Sequence, residues 1–496
     1  MAALNAEPEK ADFPDLSGNN SNDEVENAGT RVIVDKMTER KLMTKIDKRI
    51  IPMVMWIYLM NFMDRVSIGN ARLYGMEDDL GLTGDQFQLA VSILFVTYCL
   101  FETPSNMIIK RLQPAYYIAG LCVAWGLVAT FSAFVQNLGG LIACRLLLGF
   151  FEAGFFPGII LYLTTFYNKG NIALRISYFF ATSAVSGAAG GLVAYGIGNM
   201  DGTAGWRAWR YILLFNGIPT VLTGLLIPFV LPNSPQTAKF LTDDDRRNMV
   251  LLREAETGQT KSAQELHWPD VKAGMLDWKT YAYGLTQFCN NAMLYGFSAF
   301  LPTIIRGIGD WSVAEVQLLT IPVYGIGAIT YLICSRISDI TQIRGPFAAG
   351  GQLVATVGYA MLIANHSPGL SFTGCMFVGM GCYVANGTPV AWLSTNNPRY
   401  GKRAYASGVQ LSMGNSAGVA APFLFTNAMA PEYRPGYGAT IGLLGFAMST
   451  MTTLHLYYRT VNARRERGEE DWKFEGKTEE EVAELGDLSP RFRYTL

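Results

Sequence analysis

Four ionisable residues sit inside apolar runs, where each needs a reason to be there. Arg145 and Glu152 lie in C-R-L-L-L-G-F-F-E-A-G-F-F-P-G, residues 144–158, and Asp64 and Arg65 lie in W-I-Y-L-M-N-F-M-D-R-V-S-I-G-N-A, residues 56–71. Arg145 and Glu152 are seven apart, which places them on one helix face, two turns and roughly 10 Å from each other. Asp64 and Arg65 point about 100° apart on a helix, with Asn61 one turn from both. A charge at the middle of a spanning helix costs about 2.5–3.5 kcal/mol even on a lenient scale. Four such charges imply a shared polar interior rather than isolated accidents.

The quartet is neutral when both acids are ionised, and each charge can then have a partner. Protonating one acid leaves a surplus of about one positive charge, which an organic monoanion neutralises. Arginine suits a carboxylate through its planar fork and permanent charge. The expectation is that Arg65 and Arg145 bind a small organic anion, and that Asp64 and Glu152 carry the coupled proton. The bland alternative is an ion-pair set that only locks helices together.

Other polar residues in apolar surroundings extend the candidate site. Asn291, Tyr295, Asn386 and Asn415, together with Asn61, are candidates to read the neutral parts of a substrate. Glu102 in F-E-T-P-S-N, and Asp339 with Arg344, are candidate gate residues. Each amide also has a simpler use, an interhelical hydrogen bond. G-N-S-A-G at 414–418 matches a nucleophile elbow only in letters, because it lies inside an apolar helix pattern. Gly476-Lys477-Thr478 lacks the first glycine of a phosphate-binding loop. The three histidines have no metal-ligand spacing, and the seven cysteines fall within apolar blocks without a C-x-x-C pair. No enzyme, metal or cofactor is expected.

The elements that position these residues follow from composition. Of 496 residues, 50% are hydrophobic and 16% charged, against about a quarter charged in soluble domains. The charges gather in the two tails and one central segment, and the rest forms blocks of spanning length. The net charge of −1 gives no reason to invoke nucleic acid. Twelve apolar segments are predicted, at 50–69, 86–109, 114–135, 138–166, 174–198 and 208–231, then 278–305, 313–336, 346–365, 370–395, 403–428 and 437–459. The fold class is an all-α membrane protein of two six-helix halves. Residues 1–48 are a disordered N-terminus ending in a basic amphipathic approach, 49–231 the first half, 232–277 a linker with one surface helix, 278–459 the second half and 460–496 a tail. Lys and Arg collect after even-numbered helices and at both ends, so both termini are expected on the cytoplasmic side.

The motifs N-F-M-D-R-V-S-I-G-N-A, E-T-P-S-N, R-L-L-L-G-F-F-E-A-G-F-F-P-G, G-W-R-A-W-R-Y-I-L-L-F-N-G-I-P-T and L-P-N-S-P together resemble the major facilitator superfamily. Within it they resemble the anion:cation symporters, fungal allantoate permease branch. The segment T-Q-F-C-N-N-A-M-L-Y-G-F-S-A-F-L-P looks most like fungal nicotinic acid permeases. The resemblance covers roughly 48–460 and implies proton-driven import of an organic anion such as nicotinate, allantoate or pantothenate, by a monomer in the cell membrane. In related bacterial sugar-acid carriers, coupling and substrate roles fall on residues that match Asp64, Arg65, Arg145 and Glu152. One departure is the loop N-M-I-I-K-R-L-Q-P, which lacks the family's glycine-led latch and leaves Glu102 to stand in. The rival from another class is a nutrient sensor that binds the same anion and signals without net transport.

Overall fold

The computed structural model describes residues 35–83, 85–109, 112–167, 169–256, 267–430 and 432–496. Most of the expected disordered N-terminus (1–34) and the basic pair Lys110 and Arg111 lie outside the described residues. Before the linker come α1 (Lys36–Leu73), α2 (Met76–Asp79), α3 (Gln86–Ile109), α4 (Pro114–Phe131), α5 (Leu138–Glu152), α6 (Phe155–Phe166), α7 (Lys169–Gly198) and α8 (Ala208–Val230). The linker holds α9 (Asp243–Glu256) and α10 (Trp268–Leu276). After it come α11 (Trp278–Ile308), α12 (Val313–Thr341), α13 (Gly345–Ala364), α14 (Pro368–Asn396), α15 (Tyr400–Ala420), α16 (Arg434–Glu466) and α17 (Glu479–Glu484).

Two departures from the sequence expectation concern the site. The basic approach at 36–49 is not separate but the first turns of α1, capped by Asp35, whose carboxylate accepts from Met37 N. The fourth apolar run is not one helix. It breaks after Glu152, and Gly154 opens α6 three residues before Pro157. Proline in the first turn of α6 removes a donor that has no helical partner anyway. The break therefore costs little, and it leaves Glu152 at the end of one piece with the second piece free to set its own angle.

Seven helical spans among the described residues are long and apolar enough to cross a bilayer: Pro114–Phe134, Leu138–Phe166, Ala208–Val230, Val313–Thr341, Gly345–Ala364, Pro368–Asn396 and Arg434–Glu466. The other long helices are α1, α3, α7, α11 and α15. The halves meet through α1 with α11, α3 with α15, and α7 with α12.

Several contacts join the halves at the end away from the linker. Gln88 Nε2 donates to Phe425 O at 3.2 Å, Ser92 Oγ to Val419 O at 2.8 Å, and Phe87 meets Phe300 edge-on at 6.1 Å. Small residues permit the approach. A Cβ on Gly187 would lie 2.6 Å from the Tyr324 ring, and one on Gly69 would strike the Ala299 carbonyl oxygen. The second obstacle is backbone and cannot swing aside. Gly69→Ala is therefore expected to keep α1 and α11 apart at this end and to lower uptake at least about tenfold, a cost near 1.4 kcal/mol. Labelled-substrate uptake, normalised to surface abundance, checks it.

The expected tail is ordered from its docking residues onward. Asp487 receives Lys279 Nζ at 3.0 Å and Lys402 Nζ at 2.9 Å, and Tyr494 stacks on Tyr458 at 4.5 Å. Trp392 Nε1 donates to Thr495 O at 2.7 Å, and Arg465 reaches the Asp487 and Phe492 carbonyls. All these partners belong to helices after the linker. Burial would raise the Asp487 carboxyl, but the two ammonium groups prevail and hold it below its ordinary value. With a depressed folded value, its contribution is present above the usual carboxylate range and is lost only as pH falls through that lower value. Asp487→Asn removes one of the two carboxylates that Lys279 and Lys402 share, leaving them Asp277 at 3.3 and 2.6 Å. It is expected to weaken docking by about 1.5–3 kcal/mol, roughly 10- to 150-fold. Faster tryptic cleavage near Lys473 and Lys477 reads this directly.

Candidate functional site

Arg65 and Glu152 form the centre of the site. Arg65 Nε donates to Glu152 Oε2 at 2.9 Å, joining α1 to the end of α5. The Glu152 side chain is wholly buried, whereas that of Arg65 keeps 15% exposure, so the cation is the partner that faces open space. Its guanidinium lies over the Tyr98 ring at 4.8 Å and near Phe95 at 5.9 Å, both on α3. Aromatic faces stabilise a desolvated guanidinium without consuming its N–H donors.

The space that Arg65 faces lies between the halves. Its walls include Phe62, Arg65, Phe95, Arg145, Tyr295 and Ser298. Arg145 thus joins Arg65 on one cleft although the two arise from α5 and α1. Two fixed positive charges converge there, while the carboxylate of Glu152 is turned behind Arg65. Asp64 is 4% exposed, does not line this cleft, and makes no salt bridge among the described residues. Its Oδ2, Arg145 Nε, Glu152 Oε1 and Asn61 Nδ2 are buried without a hydrogen-bond partner. The quartet is therefore brought together, but as one direct ion pair plus two charges held apart.

The amides divide into two groups. Tyr295 OH donates to Asn415 Oδ1 at 2.7 Å, and Asn415 Nδ2 lies 3.3 Å from Glu102 Oε2, so these three residues form a chain across the halves. Tyr295 is on the cleft wall and Glu102 at the far end of the chain. Asn291 and Asn386 instead join Gln287, whose Nε2 donates to them at 3.2 and 3.1 Å. Asn386 Nδ2 also donates to Asn290 O and Cys382 O, which uses both of its N–H donors within the second half. Asp339, in the last turn of α12, and Arg344, the N-cap of α13, pair at 3.3 Å within one half, and neither lines the cleft.

Phe95, Tyr98 and Gln287 were not singled out by sequence reasoning, yet two flank Arg65 and the third is the hub of the amide cluster. A signal existed. Phe95, Tyr98 and Glu102 are spaced three and four apart on α3, and Gln287, Asn291, Tyr295 and Ser298 repeat the spacing on α11. Among the described residues no group of three or more His, Cys, Asp or Glu is placed to hold a metal ion.

The profile of the Major Facilitator Superfamily matches residues 54–422. An uncharacterised transporter of Schizosaccharomyces pombe is 38% identical over 422 residues, covering 85% of this chain and 83% of its own. The MFS-type transporter cnsO of Penicillium expansum is 32% identical over 473 residues, covering 92% and 91%. Among solved structures, a bacterial homologue of the human lysosomal transporter Spinster, inward-facing and occupied, matches with a TM-score of 0.62 at 16% identity, covering 82% of this chain and 96% of that one. At that identity the likeness speaks for the fold alone. The long match and the transporter relatives, with a cleft walled by both halves, make this chain a multi-pass membrane transporter rather than an enzyme, and it belongs to the major facilitator superfamily.

Proposed function

We propose that the protein is a secondary transporter that carries a small organic carboxylate together with a proton, by alternating access of its two halves (49–231 and 278–459) about the cleft. The observation that carries this reading is the convergence of Arg65 and Arg145 on one cleft wall, with the Glu152 carboxylate bonded behind Arg65. An incoming carboxylate takes up the charge of both arginines. Protonation of Glu152 releases Arg65 for it, and protonation of Asp64 leaves the nearby charge of Arg145 uncompensated, so anion and proton favour each other's binding. Tyr295, Asn415, Asn291, Asn386 and Asn61 read the uncharged part of the substrate, directly or by holding the wall. Glu102 with Asn415 acts as a gate between the halves, and Asp339 with Arg344 as a latch at the linker end. Cargo of the size of nicotinate, allantoate or pantothenate fits the anion:cation symporter branch.

In this reading the protein acts as a monomer in the cell membrane, with both termini and the linker on the cytoplasmic side. The end sealed by Gln88, Ser92, Gly69 and Phe300 is then the outer end, so the conformation is closed to the outside. The test is an uptake screen of labelled vitamins and small organic acids in a permease-deficient host, with and without a protonophore. Accumulation of a carboxylate that collapses with the protonophore is expected. Accumulation that survives it would leave facilitated diffusion in place of symport, and binding without uptake would favour a sensor.

A further inference from the structure

We infer that the first half contains a water-holding chamber of its own, through which Asp64 exchanges its proton with the outer side apart from the substrate cleft. The inference rests on the proton-coupled reading above and assigns the proton a separate route. A second cavity lies wholly within that half, with Asp64, Ser67, Ala129, Ser132, Arg145 and Leu213 in its wall. These residues come from α1, the end of α4, α5 and α8, and none comes from beyond the linker. Of the quartet, only Arg145 lines both this chamber and the cleft.

Three observations point to water as the occupant. Asp64 and Arg145 are 4% and 3% exposed, and each presents an unpartnered polar atom, Oδ2 and Nε. Buried charged groups of this kind require polar company. A buried water needs two to four polar partners, and the wall supplies them. Ser67 Oγ and Ser132 Oγ donate to the carbonyls of Asp64 and Val128, which leaves their lone pairs free to accept. Arg145 in the wall disfavours a metal cation, because it already places a fixed positive charge beside the carboxylate.

Position gives the route its direction. Ser132 follows the last residue of α4, and Leu213 lies in the second turn of α8, both at the end away from the linker. The chamber, about 10 Å³ and so room for a single water, thus lies on the side of Asp64 toward the face where the halves are sealed together. A hydronium ion there gives its proton to the Asp64 carboxylate, leaving water and a neutral acid, and the reverse step returns it. Arg145 remains charged throughout.

The test fills the chamber without touching a charged group. Ala129→Leu is expected to lower proton-driven uptake at least tenfold while substrate counterflow, which needs no net proton movement, stays within twofold. Ser132→Ala keeps the space and removes one hydroxyl. It should slow proton-driven uptake two- to fivefold with counterflow unchanged. Wild-type uptake in both variants overturns the inference, as does equal loss of uptake and counterflow in Ala129→Leu together with a wild-type Ser132→Ala. Asp64→Asn separates the two levels. If it retains proton-driven accumulation, the role of Asp64 in the proposed function fails, whereas its loss beside two wild-type chamber variants removes the chamber alone.

Discussion

Glu152→Gln is expected to abolish proton-driven accumulation and to leave counterflow exchange of substrate intact. The side chain keeps its shape, but the 2.9 Å ion pair with Arg65 loses its negative partner. Breaking a buried pair from one side costs about 3–5 kcal/mol, because the remaining charge is uncompensated. Here the stranded charge is the one that faces the cleft, and a carboxylate substrate can neutralise it. The variant therefore behaves as a permanently protonated carrier. Wild-type substrate affinity should strengthen as pH falls, since protonating Glu152 frees Arg65. The variant should bind at least as tightly as wild type at neutral pH, with no pH slope. Net uptake at wild-type levels across pH would remove Glu152 from the coupling role.

Arg145→Lys is expected to be almost as damaging, though it conserves charge. Arg145 is 3% exposed, lines the cleft, and holds its Nε without a hydrogen-bond partner. A guanidinium offers a carboxylate two parallel donors, whereas an ammonium is a point charge on a flexible stem. Losing one charge-assisted hydrogen bond is worth about 1.5–3 kcal/mol, roughly a 10- to 150-fold loss of affinity. The loss should appear in substrate binding and in exchange as well as in proton-driven uptake, unlike that of Glu152→Gln. Equilibrium binding to purified protein distinguishes them, and unchanged binding would show that Arg145 does not contact the anion.

Much of the architecture was legible because spanning helices are written as apolar length. All twelve predicted segments correspond to helices. The most displaced boundary is the start of α1, where a basic amphipathic stretch continues the helix without a break. The interruption of the fourth segment was less legible. Gly154 and Pro157 are ordinary in a membrane helix, where neighbours satisfy freed backbone groups, so hydropathy alone reads through them. At the site, the residue types pointed to Arg65, Arg145, Asp64 and Glu152 because a buried charge is costly anywhere in the bilayer. Which charges touch was not legible, since Arg65 and Glu152 are 87 residues apart and their pairing depends on how α1 packs on α5. The amides were ambiguous for a related reason. An asparagine on an apolar helix satisfies itself equally well on a neighbouring helix or at a cleft wall, and Asn386 and Asn415 take these different courses. Residues 460–496 were read only as a tail, although Phe492 and Tyr494 were a sign that it had a surface to rest on.

The linker is shared between the two halves rather than suspended between them. Lys45 of α1 pairs with Asp245, and Met249 and Leu252 of α9 pack among residues of the first half. Arg399, just before α15, holds Asp270 of α10 at 2.6 Å, and Thr280 donates to Gly274 O. Each linker helix is thus a handle fastened to a different half. Dyes attached at exposed Arg247 and Lys272 would form a molecular ruler whose energy transfer follows each turnover in real time, without a label near the cargo.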